Sequence, residues 1–203
     1  LSPGDATLTA AVTSSSPALP RTNHIVTTPP DRASPLDGHR DELALQRAGL
    51  AAIRAGRSLT VTEIGRAAGL EPERAQVVID RLLARQAATV TDGRVDGIAG
   101  LTTRPTKHTL TIDGDDRHTW CAFDAVGIPA ALGLDAVATT RCGHCGATIV
   151  VTFIAGHAPA AEPWGWLPAL ESCGNQLIDE FCSAADLFCN RDHLEQWRSV
   201  AGS

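Results

Sequence analysis

The amino-acid sequence predicts an α+β fold, in which an N-terminal winged-helix-like helical subdomain precedes a mixed, mostly antiparallel β core with packed helices. Two observations carry this prediction. Apolar residues recur at helical spacing over residues 41–85, whereas they alternate at strand spacing from about residue 101 onward. We therefore expect a flexible leader over residues 1–38, the helical subdomain over 39–99 and a second domain over 100–203.

The composition limits the class of protein. The chain has 203 residues, with 17 Lys and Arg against 23 Asp and Glu, and its net charge of −6 argues against a protein that mainly coats nucleic acid. No apolar run is long enough to predict a membrane span, and the first residues lack the pattern of a secretory signal. The 6 cysteines are therefore expected to be thiols or metal ligands, in a cytoplasmic protein.

The predicted leader is rich in Ser, Thr, Pro and Ala, a composition that buries little apolar surface. Ordered structure is expected to start near His39, with a first helix over residues 41–55. Thr60 and Glu63 have the spacing of a capping box, which predicts the start of a second helix.

A third helix and a hairpin complete the winged-helix pattern. Pro72 suits the first turn of a helix, and apolar residues continue beyond it at a period of 3.6. Strands over 88–90 and 95–98, joined by a turn at 92–93, would form the wing. The third helix carries mixed rather than basic charges, so a structural role is favoured over DNA binding and nucleic acid is not an expected partner.

Strand and helix patterns alternate over the second domain. The predicted elements are a hairpin over 109–120, an apolar helix over 122–134 broken by Gly127 and Pro129, strands over 137–141 and 147–154, a loop over 156–168, and helices over 177–188 and 192–200. The short strands are expected to pair mostly antiparallel, with the helices packed around them.

Cys121 and Asp124 are three residues apart, a spacing that places a thiol and a carboxylate on one face of a helix. A position in the first turn would lower the pKa of the Cys121 thiol. The alternative is a buried cysteine beside a helix-capping aspartate.

Cys182 is expected on the helix over 177–188, with Asp186 and Cys189 one and two turns further along the same face. The alternative is that these cysteines are small apolar residues of an amphipathic helix.

The segment Cys142-Gly-His-Cys145-Gly has the form of a zinc knuckle, whose tight turn points two sulfurs at one ion. A tetrahedral site needs two more ligands, for which His144, His157 and Cys173 are candidates. The alternative is a cysteine pair, reduced or oxidised, that closes a turn between two strands. Motifs for phosphate, dinucleotide or serine-nucleophile chemistry are absent from the sequence, which leaves thiol and carboxylate chemistry of the kind that suits soft metals.

The segment Trp120-Cys121-Ala122-Phe123-Asp124 resembles the W-C-A-x-D segment of the organomercurial (alkylmercury) lyases. The resemblance extends over about residues 40–198. Its further parts are the lead-in Gly100-Leu-Thr-Thr-Arg104, the apolar run Ile128-Pro129-Ala130, the strand-following Cys142 and the pair Phe181-Cys182.

This resemblance implies a role for each matching residue. Cys121 and Cys182 would be the two thiolates that bind mercury, Asp124 would handle the proton and is a candidate further ligand, and Cys142 would be a buried structural cysteine. Residues 100–203 would then be the catalytic domain. The Cys142/Cys145 pair could instead bind zinc or relay Hg(II).

The implied activity is protonolysis of a carbon–mercury bond, which yields a hydrocarbon and Hg(II) held as bound product, with no cofactor required. The implied partners are an organomercurial substrate, low-molecular-weight thiols and a mercuric reductase that accepts the ion. Two alternatives remain open from the sequence: a non-catalytic protein that binds a soft metal (mercury, copper or zinc), and a metal-responsive winged-helix regulator.

Overall fold

A long antiparallel sheet carries most of the fold, and its strands show the alternating burial that strand-period patterns predict. In the strand Thr148–Phe153, for example, Ile149, Val151 and Phe153 are buried while the residues between them are exposed. The computed structural model describes residues 35–158, 163–169 and 176–201, all within one compact unit. Most of the predicted leader, and Cys173, lie outside the described residues.

Helices and strands alternate along the described chain. The helices are α1 (Pro35–Arg54), α2 (Val61–Ala67), α3 (Pro72–Ala84), α4 (Ala122–Leu132) and α5 (Arg191–Ala201), with a π-helical segment at Leu177–Cys182. The strands are β1 (Leu59–Thr60), β2 (Ala88–Thr91), β3 (Arg94–Ile98), β4 (Leu101–Thr102), β5 (Thr109–Ile112), β6 (Asp115–Thr119), β7 (Ala136–Arg141), β8 (Thr148–Phe153), β9 (Trp164–Trp166) and β10 (Asp186–Phe188).

The main sheet has eight strands in the order β1-β3-β4-β6-β5-β7-β8, and β2 also pairs with β3. Every pairing in it is antiparallel, and β9 and β10 form a second, two-stranded antiparallel sheet. Because β3 pairs with β4, the sheet continues from the hairpin of the first half into the second half. The α+β class and the antiparallel pairing are thus as predicted.

The N-terminal helices pack closely on this sheet. In α1, a Cβ added at Gly49 would stand 2.8 Å from Cγ2 of Ile98 in β3, so the helix and strand approach more closely than larger side chains allow. The predicted capping box is present at the start of α2: Glu63 N–H donates to Thr60 Oγ1, and Thr60 N–H donates to the Glu63 carboxylate. The first helix begins at Pro35, earlier than the expected start near His39.

Three predictions for the second half are wrong. The helix expected over 177–188 is a π-helical segment that ends at Cys182, after which Asp186–Phe188 forms β10 and pairs with β9. The expected loop over 156–168 contains β9. The apolar helix expected to break at Gly127 and Pro129 continues through both as α4. Short apolar segments fit either a buried strand or one helical face, and only the tertiary partner decides between them.

Within the described part of the chain, no helix combines the length and the apolar character that crossing a membrane requires.

Protonation of a buried histidine is expected to weaken the fold at mildly acidic pH. His108, just before β5, places Nδ1 2.6 Å from Thr140 Oγ1 in β7, and burial, with a smaller effect of the Lys107 charge, lowers its pKa from 6.5 to about 4. Since the unfolded chain binds this proton more tightly, stability is lost as the pH falls from about 6.5 to about 4. Between pH 7 and pH 5 the free energy of unfolding measured in urea should fall by about 2 kcal/mol through this residue.

The control is His108→Gln, which retains a polar side chain but does not titrate. An equally steep loss of stability in this variant would show that other groups cause it.

Candidate active site

Cys121 lies where strand β6 gives way to helix α4, and main-chain contacts fix its position. It is the N-cap residue of α4, with φ −145° and a fully buried side chain. The Thr119 hydroxyl donates to the carbonyl of Cys121 at 3.0 Å, and Trp120 N–H donates to the carbonyl of Gly100 at 3.0 Å. The end of β6 is therefore attached to the β3–β4 turn, and the thiol is held at the start of the helix.

Asp124 lies in the first turn of α4, so its carboxylate returns toward the N-cap. The Cys121 Sγ atom is 3.1 Å from Asp124 Oδ2, with the thiol as donor. The three-residue spacing thus brings the thiol and carboxylate together as predicted.

Cys182 approaches the same carboxylate from a distant part of the sequence. It ends the π-helical segment, and its Sγ lies 4.0 Å from Asp124 Oδ2. The ligand atoms of Cys121, Asp124 and Cys182 all lie within 4.8 Å of one another. We call these three residues the thiol–carboxylate site.

Apolar side chains surround the thiol–carboxylate site. Beside its two cysteines, the enclosing cluster contains Phe181, Ala185, Trp120 and Leu177. The ring of Phe123 meets that of Phe181 edge to face at 5.6 Å, and Phe123 is 39% exposed. Such walls exclude water from the sulfurs and strengthen the electrostatic interactions among the three polar groups.

The pKa values of Asp124 and Cys121 are both raised, which favours the protonated form of each group. Burial raises the pKa of Asp124 to about 6, although hydrogen bonds from Cys121 act in the opposite direction. The pKa of the Cys121 thiol is raised as well, by its contact with the Cys182 thiol, by burial and by the charge of Asp124. The expected lowering of the Cys121 pKa at a helix start is therefore wrong, because burial and two acidic neighbours outweigh the helix terminus.

A close approach by Gly100 fixes the carboxylate from the other side. Gly100 has φ +84°, and a Cβ at this position would stand 2.4 Å from Asp124 Oδ1. Glycine is thus required both by the backbone conformation and by the contact.

A second group of potential ligands lies around the predicted zinc knuckle. Cys142, Cys145, Cys189 and His193 place their ligand atoms within 4.8 Å of one another, and we call them the Cys/His cluster. Cys189 therefore does not share a helical face with Cys182, since the chain turns into β10 between them. Asp186, also expected on that face, instead forms an ion pair with Lys107 at 3.3 Å.

The sequence did not identify Cys189 and His193 as ligands. His144 and His157, the expected further ligands, are not in the Cys/His cluster. The ring of His144 packs 5.0 Å from that of His193, and His157 places Nδ1 2.9 Å from the carbonyl oxygen of Ala155. The C-x-x-x-H spacing of Cys189 and His193 could have indicated a metal site. It was not used, because the helix wrongly predicted over 177–188 placed Cys189 on the same face as Cys182.

The sequence matches known proteins over the same region. A family model described as alkylmercury lyase (MerB) matches residues 101–202. An alkylmercury lyase of Streptomyces lividans is 32% identical over 141 residues, which cover 68% of this chain and 61% of that protein. Alkylmercury lyases of Bacillus cereus and Pseudomonas putida are 28% identical, over 68% and 71% of this chain and 60% and 68% of the relatives. The chain thus spans about three fifths of the length of the first of these relatives.

The fold has a solved counterpart. The crystal structure of the mercury-bound form of MerB2 superposes with a TM-score of 0.67 at 20% sequence identity, over 82% of this chain and 87% of that chain. At this level of identity the likeness shows a shared fold.

Substitution of Gly100 should disturb the thiol–carboxylate site more than backbone strain alone would. Gly114 has almost the same backbone angle, φ +85°, but a Cβ added there meets nothing within 4 Å, so Gly114→Ala is a matched control. We expect Gly100→Ala to lower the free energy of unfolding in urea by about 1–3 kcal/mol more than Gly114→Ala does, because Asp124 must move. Equal losses would mean that the contact with Asp124 imposes no constraint.

Proposed function

The chain belongs to the alkylmercury lyase family, and from that premise we propose that it cleaves carbon–mercury bonds by protonolysis, releasing a hydrocarbon and retaining Hg(II) on two cysteine sulfurs. The observation that carries the proposal is the convergence of two buried thiols on one partly buried carboxylate in the thiol–carboxylate site. Thiolates are the preferred ligands of soft metal ions, and a carboxyl group beside them can supply a proton.

In the first step the protein captures the metal. The substrate is an organomercurial R–Hg–SR′ carried by a small thiolate. The Cys121 S–H bond breaks and a sulfur–mercury bond forms, while Asp124, 3.1 Å from the sulfur, takes the thiol proton and passes it to the leaving thiolate as R′SH. Asp124 accelerates this capture rather than being essential for it, because the raised pKa of Cys121 keeps the thiol protonated before the substrate arrives, and water can take the proton more slowly.

In the second step the carbon–mercury bond is broken. Cys182 gives its thiol proton to Asp124 and binds mercury as a second thiolate, which increases electron density on the carbon. Asp124 then donates the proton to that carbon, so the electrons of the carbon–mercury bond form the new C–H bond. The products are R–H and a Hg(II) ion bound by Cys121 and Cys182. A carboxyl group with a pKa of about 6 can serve as both acceptor and donor near neutral pH.

Release of the product requires other thiols. Two protein sulfurs hold a soft ion tightly, so we propose that low-molecular-weight thiols or a mercuric reductase remove Hg(II) by ligand exchange. No cofactor enters the proposed steps. The aromatic pair Phe123 and Phe181 beside Cys182 is a candidate wall for the organic group of the substrate.

A reducing compartment suits this chemistry, and we propose that the protein acts in the cytoplasm. The five cysteines in the described ranges are free thiols, and the proposed reaction needs two of them in the reduced state.

We further propose that α1–α3 and the β2–β3 hairpin form a winged-helix-like subdomain with a structural role. Arg74 in α3 forms an ion pair with Asp41 of α1. Arg85, the C-cap residue of α3, forms an ion pair with Glu42 of α1. Their charges are thereby committed to packing within the protein, which supports a structural role over phosphate binding and over a DNA-binding regulator.

Removal of the proposed proton donor should separate binding from cleavage. We expect Asp124→Asn to bind phenylmercuric acetate still, through Cys121 and Cys182, but to release benzene at least about a hundredfold more slowly in excess small thiol, because general acid catalysis is lost. Benzene is followed by gas chromatography and bound mercury by elemental analysis.

Asp113→Asn is the matched control, since this carboxylate lies at a turn and its side chain is 79% exposed. Turnover by Asp124→Asn at the parent rate would refute the proton role, and binding without turnover by the parent protein would favour the non-catalytic soft-metal binding protein.

The proposed order of proton transfers also fixes the sign of the pH dependence. Asp124 must be ionised in the free enzyme to accept the thiol proton, so kcat/KM should fall as the pH drops through about 6. The variant His108→Gln should keep this dependence, which separates it from acid unfolding. A kcat/KM that instead rises toward acid would indicate that the free enzyme reacts with Asp124 protonated.

A further inference from the structure

We propose that Cys142, Cys145, Cys189 and His193 bind one structural zinc ion. This Cys/His cluster is separate from the thiol–carboxylate site and takes no part in the proposed reaction. Its ligand atoms comprise three sulfurs and one imidazole nitrogen, all within 4.8 Å of one another. Three cysteines and one histidine form one of the usual ligand sets of structural zinc.

The distances within the Cys/His cluster match a tetrahedral ion. With zinc–sulfur bonds of about 2.3 Å and zinc–nitrogen bonds of about 2.1 Å, tetrahedral angles place two sulfurs about 3.8 Å apart and a sulfur and nitrogen about 3.6 Å apart. Cys145 Sγ lies 3.8 Å from Cys189 Sγ, and Cys142 Sγ lies 3.6 Å from His193 Nδ1. Each of these two distances joins one ligand of the knuckle to one ligand from the C-terminal segment. A single ion can therefore bind all four ligand atoms.

Backbone hydrogen bonds alone form the tight turn of the knuckle. Gly146 N–H donates to the carbonyl of Cys142 at 2.9 Å, and Cys142 N–H donates to the carbonyl of Ala147 at 2.8 Å. Gly146 adopts φ +71°, which allows the chain to turn back after the second cysteine.

The other two ligands are fixed at the junction of β10 and α5. Gly143 N–H donates to the carbonyl of Leu187 at 2.9 Å, which joins the knuckle to β10 just before Cys189. Asn190 Oδ1 accepts the backbone N–H of His193 at 2.9 Å, and this side-chain cap fixes the first turn of α5. The histidine ring is therefore held on the side where the sulfurs lie.

The ligand set determines the kind of ion and its role. Thiolate and imidazole ligands favour zinc over hard cations such as magnesium and calcium. Four protein ligands fill a tetrahedral shell and leave no position for water or substrate, so the ion would be structural. It would link the end of β7 to the segment that follows Cys182, and so restrain the part of the chain that presents this thiol.

Zinc content of the purified, reduced full chain tests the proposal. We expect one zinc per chain by elemental mass spectrometry, and X-ray absorption with three sulfur and one nitrogen neighbours. Cys145→Ser and Cys189→Ser should each reduce bound zinc at least about tenfold after dialysis against a weak chelator. Cys182→Ser is the matched control, since it removes a thiol from the other site and should retain zinc.

Thermal unfolding provides a second measurement that does not depend on the variants folding well. A strong chelator should lower the Tm of the parent protein and of Cys182→Ser, and added zinc should restore it. Zinc retained by both knuckle variants, a parent protein that binds no zinc after reconstitution, or a Cys145–Cys189 disulfide in the isolated chain would each overturn the proposal. None of these readouts requires turnover, so failure of the lyase activity would leave this test intact.

Discussion

The rest of the candidate site depends on the partly buried carboxylate of Asp124. An ionised carboxylate away from water is costly unless donors surround it, and here the donors are the Cys121 thiol at 3.1 Å and the more distant Cys182 thiol. The same burial raises the pKa of Asp124 to about 6. A carboxyl group with a pKa this close to neutral pH can both accept and donate a proton efficiently. Placing Asp124 here costs folding stability, but it also gives the carboxyl group a pKa suited to proton transfer, as is common for desolvated groups at functional sites.

Three separate parts of the chain hold this carboxylate in place. The β3–β4 turn brings Gly100 against it, the end of β6 places Cys121 at the start of α4, and the π-helical segment delivers Cys182. Sheet pairing between β4 and β6 joins the first two parts directly. The N-terminal half therefore contributes to the site through the sheet, although the proposed catalytic residues all lie after residue 100.

Local features were predictable from the sequence, whereas features that depend on distant contacts were not. The capping box of α2 and the meeting of Cys121 with Asp124 follow from spacings within one helical turn, and the structure has both. The approach of Cys182 was implied only by the family resemblance. The pairing of the knuckle with Cys189 and His193 was missed, because β10 forms only against its partner strand β9 and no local pattern reports that contact. The direction of the Cys121 pKa was mistaken for the same reason, since its neighbours and its burial arise from the tertiary fold.

The two sulfurs of the thiol–carboxylate site come from segments that are far apart in the chain. A Hg(II) ion held between Cys121 and Cys182 would therefore act as a temporary cross-link, closing a long loop in the way that a disulfide does. An ion that binds the folded chain in preference to the unfolded chain stabilises the fold. The protein would then be most resistant to unfolding when it is loaded with product and inactive, and each release of mercury would return it to a looser, working state.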